Sequence, residues 1–270
     1  MKNRLSSDRL AGEVRWPAAP ARRSGPHPAR RVVTAADAVR FINDVGYCLL
    51  FPIRGLPLPS LYYACAHREA TDWDKYCLRI WKWKDEFGRR RRAFYAKYFK
   101  GRGTFISLEL LPHFLAMEGS AWAPGDFDRA YSAGRITADA RILWHALAEH
   151  GPLATLELRH TSKFETKTGN RRFKKAMLDL SRRLLVVHSG AEQETDSWAS
   201  NRFELTAQAF PAAVAHARAI APEEARRTLA QKYLEWHPSA VARTLAGLFR
   251  WSKQEVAQAI LPVHLSGRTA

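Results

Sequence analysis

The densest chemistry in the sequence is the run Trp81-Lys82-Trp83-Lys84-Asp85-Glu86, followed closely by Arg89, Arg90, Arg91 and Arg92. Two adjacent carboxylates beside indole rings and cations could activate a water, or stabilise an oxocarbenium-like sugar on a DNA strand. A plainer reading competes with this. On a helix, Asp85 with Arg89 and Glu86 with Arg90 are i, i+4 pairs in the favourable order, worth about 0.2–0.5 kcal/mol each. Lys84 sharpens the choice. Trp73, Tyr76, Cys77, Ile80 and Trp81 form an apolar stripe at helical spacing, and continuing it at about 100° per residue brings Lys84 to its centre. Either the helix ends near Lys82, or a lysine faces a cavity.

A second concentration of charge lies downstream. Asn170 can cap a helix over residues 171–183, whose apolar positions Phe173, Met177, Leu180 and Leu184 keep one face. Arg171, Arg172, Lys174, Lys175, Arg182 and Arg183 all fall off that stripe, against the single acid Asp179, and Lys163 and Lys167 precede them. Apolar anchors on one face and cations on the other suit a helix laid against phosphates. A solvated helix face and a protein-contact face are the alternatives.

Other chemistries find no support. Cys65, His67 and Cys77 lack a fourth ligand and a CxxC pair, so no metal is expected, and the three cysteines read as core thiols. The ten histidines show no metal-binding spacing. No P-loop and no GxGxxG occur, which disfavours nucleotide-driven motors and dinucleotide enzymes; no cofactor is expected.

The elements that must position these residues can be read in outline. Thr34 and Asp37 make a capping signature for a helix ending near Gly46, and residues 47–51 are a short apolar run before Pro52, Pro57 and Pro59. Thr71 or Asp72 can cap the helix that carries Lys84. Ser107-Leu108-Glu109-Leu110-Leu111 opens another short helix. Residues 119–136, rich in Gly, Pro, Ser and Asp, read as a linker. Thr137 caps a helix through His150, a short second helix begins at Thr155, and the basic third helix follows. The runs 184–187 and 202–206, joined by a polar loop, then form a wing. Three helices and a two-stranded wing make a winged helix-turn-helix over residues 137–210. Pro222 opens a helix to about Trp236, and Ser252 with Glu255 forms a capping box for a last one, so that residues 211–270 form a C-terminal helical unit and 239–261 could be a further helix-turn-helix.

Composition is consistent with that outline. The chain has 270 residues, 46% of them hydrophobic and 11% aromatic, enough for a substantial core. Three cysteines cannot staple a secreted scaffold of this length, no apolar run is long enough to span a membrane, and the N-terminus has no signal-peptide pattern. The net charge is +17. Residues 1–31 hold eight Lys/Arg and two acids and read as a basic disordered arm; the remaining 35 basic and 24 acidic residues still leave +11. A basic protein of the cytoplasm and nucleoid that attracts polyanions is expected, with double-stranded DNA the first candidate, no membrane partner, and a monomeric state.

Taken together, Asp74, the run from Trp81 to Glu86, Phe94-Tyr95-Ala96-Lys97 and Phe105-Ile106-Ser107-Leu108-Glu109 resemble the AlkZ-related proteins, relatives of the AlkZ/YcaQ winged-helix DNA glycosylases. The resemblance runs from Val32 to Phe210. It implies a mainly α fold with small β-wings, built as several winged-helix or helix-turn-helix units, residues 32–118 forming the first. It also implies enclosure of DNA and hydrolysis of the N-glycosidic bond of an abnormal base: alkylated, crosslinked, or a hypermodified base of phage DNA in defence. One departure matters. The family holds its attacking water with Gln-x-Gln or Gln-x-Asp, and the matching stretch here, Cys48-Leu49-Leu50-Phe51, places Leu49 and Phe51 at the polar positions. The family's Trp-x-His-Glu motif is matched by Trp83-Lys84-Asp85-Glu86.

A monofunctional DNA glycosylase is therefore the leading expectation. Asp85 or Glu86 would orient water, Lys84 is a variant nucleophile forming a Schiff base, and Tyr47, Trp83 or Tyr95 would pack on an extruded base. The other expectation is a non-catalytic DNA-binding protein or regulator that kept the scaffold and lost the site.

Overall fold

A computed structural model describes residues 31–68, 72–119, 124–194 and 199–260. The expected arm, apart from Arg31, and the candidate cap Thr71 lie outside the described residues.

The chain begins with helix α1 (Ala35–Val45), where Thr34 and Asp37 cap each other's backbone and Gly46, at φ 79°, ends the helix. Strand β1 (Tyr47–Leu49), α2 (Leu61–Ala66), α3 (Lys75–Arg89), β2 (Phe94–Lys97) and β3 (Gly103–Ile106) follow, with a 3-10 turn (Phe99–Gly101) between the last two strands. The cap of α3 is Asp74 rather than Thr71 or Asp72: its carboxylate accepts from the amides of Tyr76 and Cys77 at 2.9 and 3.0 Å. The strands form an antiparallel sheet in the order β1-β3-β2. After α4 (Leu111–Glu118) and α5 (Pro124–Ser132), α6 (Ala138–His150), β4 (Leu153–Ala154), α7 (Thr155–Thr161), α8 (Lys167–Arg182), β5 (Val186–Glu192) and β6 (Ser200–Leu205) repeat the same sequence of elements, with sheet order β4-β6-β5. Helix, strand, helix, helix and a two-stranded wing thus occur twice, with no sequence repeat to announce it.

Helices α9 (Thr206–Ala209), α10 (Pro211–Ala219), α11 (Pro222–Trp236), α12 (Ala242–Phe249) and α13 (Lys253–Ile260) complete the described chain. The fold is mainly α with small β-wings. Two expectations change. Within residues 119–136, Pro124–Ser132 is helical, because Phe127 stacks on Trp144 at 4.4 Å and gives the segment a buried face. The basic helix starts earlier than Asn170: Thr166 caps it, accepting from the Gly169 amide at 3.0 Å.

The first sheet is buried on both faces. Tyr47, Leu49, Phe94 and Ile106 join the large core shared with the rest of the chain, whereas Cys48, Tyr95 and Phe105 join a smaller core with Phe41, Ile42, Ile80 and Phe87. Alternate side chains leave a strand on opposite faces, so a sheet inside two cores reads as an unbroken apolar run. The three cysteines are free and buried, and burial pushes the Cys48 thiol above its ordinary range. Among the described residues no helix is long and apolar enough to cross a membrane.

Candidate active site

Helix α3 continues through Lys84 to Arg89, and this decides between the two readings of the apolar stripe. Cys77, Ile80, Trp83 and Phe87 bury one face in the smaller core, while Lys84 and Gly88 press against β5 of the second winged unit. The approach is close: a Cβ on Gly88 would lie 2.6 Å from the carbonyl oxygen of His188, and one on Gly190 3.3 Å from the Cβ of Arg89. Glycine on both elements lets helix and strand meet at backbone distance.

Lys84 is buried at this junction, with 2% of its side chain exposed. Its Nζ donates to the Asp85 carboxylate and, at 2.9 Å, to Oδ1 of Asn201, and lies 3.1 Å from Nε2 of His188 and 4.7 Å from the Trp81 ring centroid. His188 Nε2 is also 2.8 Å from Asp85 Oδ1. Lysine, aspartate and histidine therefore form a closed triangle. The backbone carbonyl of Asn201 accepts from Thr155 Oγ1 at 2.8 Å, which anchors the wing strand that presents Asn201.

The electrostatics follow from geometry. Burial opposes ionisation of Asp85, but the His188 hydrogen bond and the Lys84 charge outweigh it and hold the carboxyl below its ordinary value. For His188, burial and the neighbouring ammonium dominate over Asp85, pushing its pKa down to about 4. At neutral pH the imidazole is uncharged, so its Nε2 donates to the Asp85 oxygen in one tautomer and accepts from the Lys84 ammonium in the other. Asp85 is the member that reaches the surface, with 27% of its side chain exposed. The arrangement is an anionic carboxylate at a protein surface, held ionised from behind by a buried cation and oriented by an imidazole.

The other candidates separate clearly. Glu86 stays outside the triangle and lies 3.7 Å from Arg90, as the i, i+4 reading expects, whereas Asp85 pairs with Lys84 and His188 instead of Arg89. The Lys84 amine faces its partners inside the protein, which leaves a nucleophilic role without an open face. Tyr47 is a correction: its ring is fully buried among Phe99, Phe114, Trp236 and Phe249, and its hydroxyl donates to the Leu229 carbonyl at 3.2 Å, so it is unavailable to a base. Trp83 is packed on Phe87 in the smaller core. Tyr95 lies at the triangle, its ring centroid 5.9 Å from Lys84 Nζ and 5.6 Å from the His188 ring.

His188 and Asn201 carry no local sequence signal that marks them as site residues. His188 closes the apolar run 184–187, where a lone histidine reads as core, and nothing local ties it to a carboxylate 103 residues earlier.

A family model described as AlkZ related matches residues 32–250. The chain belongs to the AlkZ-related family. Among solved structures, the Streptomyces sahachiroi DNA glycosylase AlkZ shares its fold, with a TM-score of 0.50 at 16% identity, over 86% of this chain. The match covers 60% of that enzyme's length. No curated protein matches in sequence. At the positions where AlkZ-type enzymes are expected to carry their polar pair, this AlkZ-related chain has Leu49 fully buried and Phe51 packed on Tyr62 and Trp73. Leu49 and Phe51 themselves offer a water no polar side-chain atom, and the Asp85 triangle is built from other residues.

The cations of this AlkZ-related chain lie in two groups. Arg89, Arg90, Arg91 and Arg92 are exposed at the end of α3, with Arg91 donating to the wing residue Glu204 at 2.9 Å. On and before α8, Lys163, Lys167, Arg171, Lys174 and Lys175 are exposed. Arg172 clasps Asp139 of α6 through two nitrogens, and Arg183 donates to Asp179 at 3.1 Å, so these two brace the helix as well as charge it. Arg182 is half-buried near Gly101.

Proposed function

We propose that this chain is a monofunctional DNA glycosylase acting on a modified or bulky base in double-stranded DNA, with Asp85 as its catalytic carboxylate. The observation that carries the reading is the surface-reaching Asp85, kept anionic by buried Lys84 and oriented by His188. Hydrolysis of an N-glycosidic bond breaks C1′–N as the base leaves with the bonding electrons, and positive charge develops on the sugar. A fixed carboxylate stabilises that charge and orients the water whose oxygen bonds to C1′, and it accepts the water's proton. The exposed cations of α8 would hold the flanking phosphates, while Tyr95, buried in the smaller core beside Lys84 and His188, would support the triangle from behind and not stack on a base. Alkylated, crosslinked and hypermodified phage-type bases are the substrate classes.

End-labelled duplexes carrying such bases test it, with alkali cleavage reporting abasic sites. Asp85→Asn is expected to lower excision by about 10²–10⁴-fold, and Glu86→Gln by less than about threefold. No abasic sites from any of these DNAs, hypermodified phage DNA included, would refute the enzyme reading. A fully active Asp85→Asn would refute the assignment. The second reading, a DNA-binding protein without catalysis, draws on the apolar Leu49 and Phe51; it expects binding without excision in every substrate.

A further inference from the structure

A second cluster of cations shares no residue with the Asp85 triangle and has no role in the chemistry above. Arg182, Arg183, Arg226 and Arg250 line a cavity of about 380 Å³ where α4, α8, α11 and α13 converge. An adjoining cavity of about 240 Å³ shares Arg182 and Arg250 as lining and adds Lys100 from the 3-10 turn; the two adjoining cavities together make up the basic cleft. Five cations from separate parts of the chain thus converge on it.

The acids in the cleft are already engaged. Asp179 accepts from Arg183 at 3.1 Å; Glu255 accepts from the Ser252 amide at 2.8 Å and lies 3.3 Å from Arg226. Glu118 accepts from the Tyr98 hydroxyl at 2.6 Å, and burial pushes its pKa up. Among the described residues no carboxylate lies within 4.0 Å of Arg182 or Lys100, and the one carboxylate that close to Arg250 is Glu118, at 3.7 Å, beside the Tyr98 hydroxyl that Arg250 also meets. The backbone adds a second observation. Lys100 and Arg250 adopt φ of 49° and 61°, a left-handed conformation that favours glycine, yet each position carries a long cation into the same cleft. Finally, Arg171, Lys175 and Arg182 share one face of α8 at i, i+4 and i+11, so the cleft continues the exposed basic stripe of that helix.

We propose that this cleft is a phosphate-binding site that holds a backbone phosphodiester of the DNA lying along α8. The inference rests on the DNA-binding half of the proposed function and is independent of catalysis. Arg182, Arg250 and Lys100 supply the donors, and the braced pairs Arg183–Asp179 and Arg226–Glu255 form rigid walls that neutralise their own acids.

The test measures duplex affinity of the full chain against salt for wild type, Lys100→Gly, Arg250→Gly and Arg182→Gln. Glycine suits the left-handed backbone at the first two positions, so those variants should keep their thermal stability while losing a charge. The log–log salt slope is expected to fall in magnitude by about 0.9 for each phosphate that a variant no longer neutralises. Calorimetry with inorganic phosphate distinguishes the source. Binding of free phosphate that Arg250→Gly abolishes, with unchanged DNA slopes, would keep the phosphate chemistry and overturn the DNA assignment. Unchanged slopes with no phosphate binding would overturn the site altogether. Wild-type protein that fails to bind duplex DNA at all would refute the proposed function instead, leaving the phosphate titration to decide the cleft.

Discussion

Acidification should expose the buried state of His188. In the unfolded chain a histidine protonates near its ordinary value of 6.5, whereas in the folded protein burial and Lys84 hold this imidazole neutral down to about 4. Between those values the unfolded state binds a proton that the folded state does not, so stability is full above about pH 6.5 and declines as pH falls towards 4. The gap corresponds to about 3 kcal/mol at its full extent, at about 1.36 kcal/mol per pH unit. Other groups titrate in the same window. Burial also holds His113 and His237 below their ordinary values and reinforces the trend, while the Glu165 hydrogen bond raises His160 and opposes it. The control is therefore His188→Gln, whose amide offers both a donor for Asp85 and an acceptor for Lys84 but takes up no proton. Urea unfolding of both proteins, followed by tryptophan fluorescence from about pH 7 to about pH 4, gives two stability curves. Their difference should change by about 3 kcal/mol across the window. Parallel curves would refute the reasoning, because a solvated or already protonated histidine contributes no such slope.

The Lys84–Asp85 pair should behave asymmetrically. Asp85→Asn strands an ammonium at 2% exposure and should cost about 3–5 kcal/mol, whereas Lys84→Met leaves a carboxylate that is 27% exposed and still bonded by His188, costing about 1–3 kcal/mol. In a double-mutant cycle the pair should fall short of additivity by at least about 1 kcal/mol; strict additivity would deny the coupling. Gly88→Ala places a methyl 2.6 Å from the His188 carbonyl and should destabilise by about 1–3 kcal/mol while lowering excision, although it alters no polar group; unchanged unfolding midpoints would show that helix and strand are loosely packed there.

Local signals carried much of the fold. The capping pairs Thr34–Asp37 and Ser252–Glu255, the α6 cap at Thr137 and the basic face of α8 were all legible, because each depends on residues within one or two turns. Even the burial of Lys84 was foreshadowed by its place at the centre of an apolar stripe. What the stripe could not reveal was the partner. His188 and Asn201 lie 104 and 117 residues away, and they meet Lys84 only because α3 of one winged unit packs on the wing of the other. Tyr47 misled for the opposite reason: an aromatic in a short strand fits a surface platform and a buried core equally well, and only the second face of the sheet decides. The helix at Pro124–Ser132 was hidden by its polar composition, its one strong anchor being Phe127 against Trp144.

The triangle draws on both winged units. A carboxylate on an exposed helix face would be solvated, weakly oriented and paired with a neighbouring arginine, as Glu86 is with Arg90. Asp85 escapes that fate because the second unit brings an imidazole and an amide against the same helix, and because Gly88 and Gly190 allow an approach close enough to exclude water from behind the lysine. Removing water strengthens each interaction in the cluster, and it makes the orientation of Asp85 a property of the junction rather than of either unit. Since a displacement of about 1 Å at a reacting group can cost about 100-fold in rate, any activity of Asp85 should be as sensitive to how α3 seats on β5 as to the carboxylate itself.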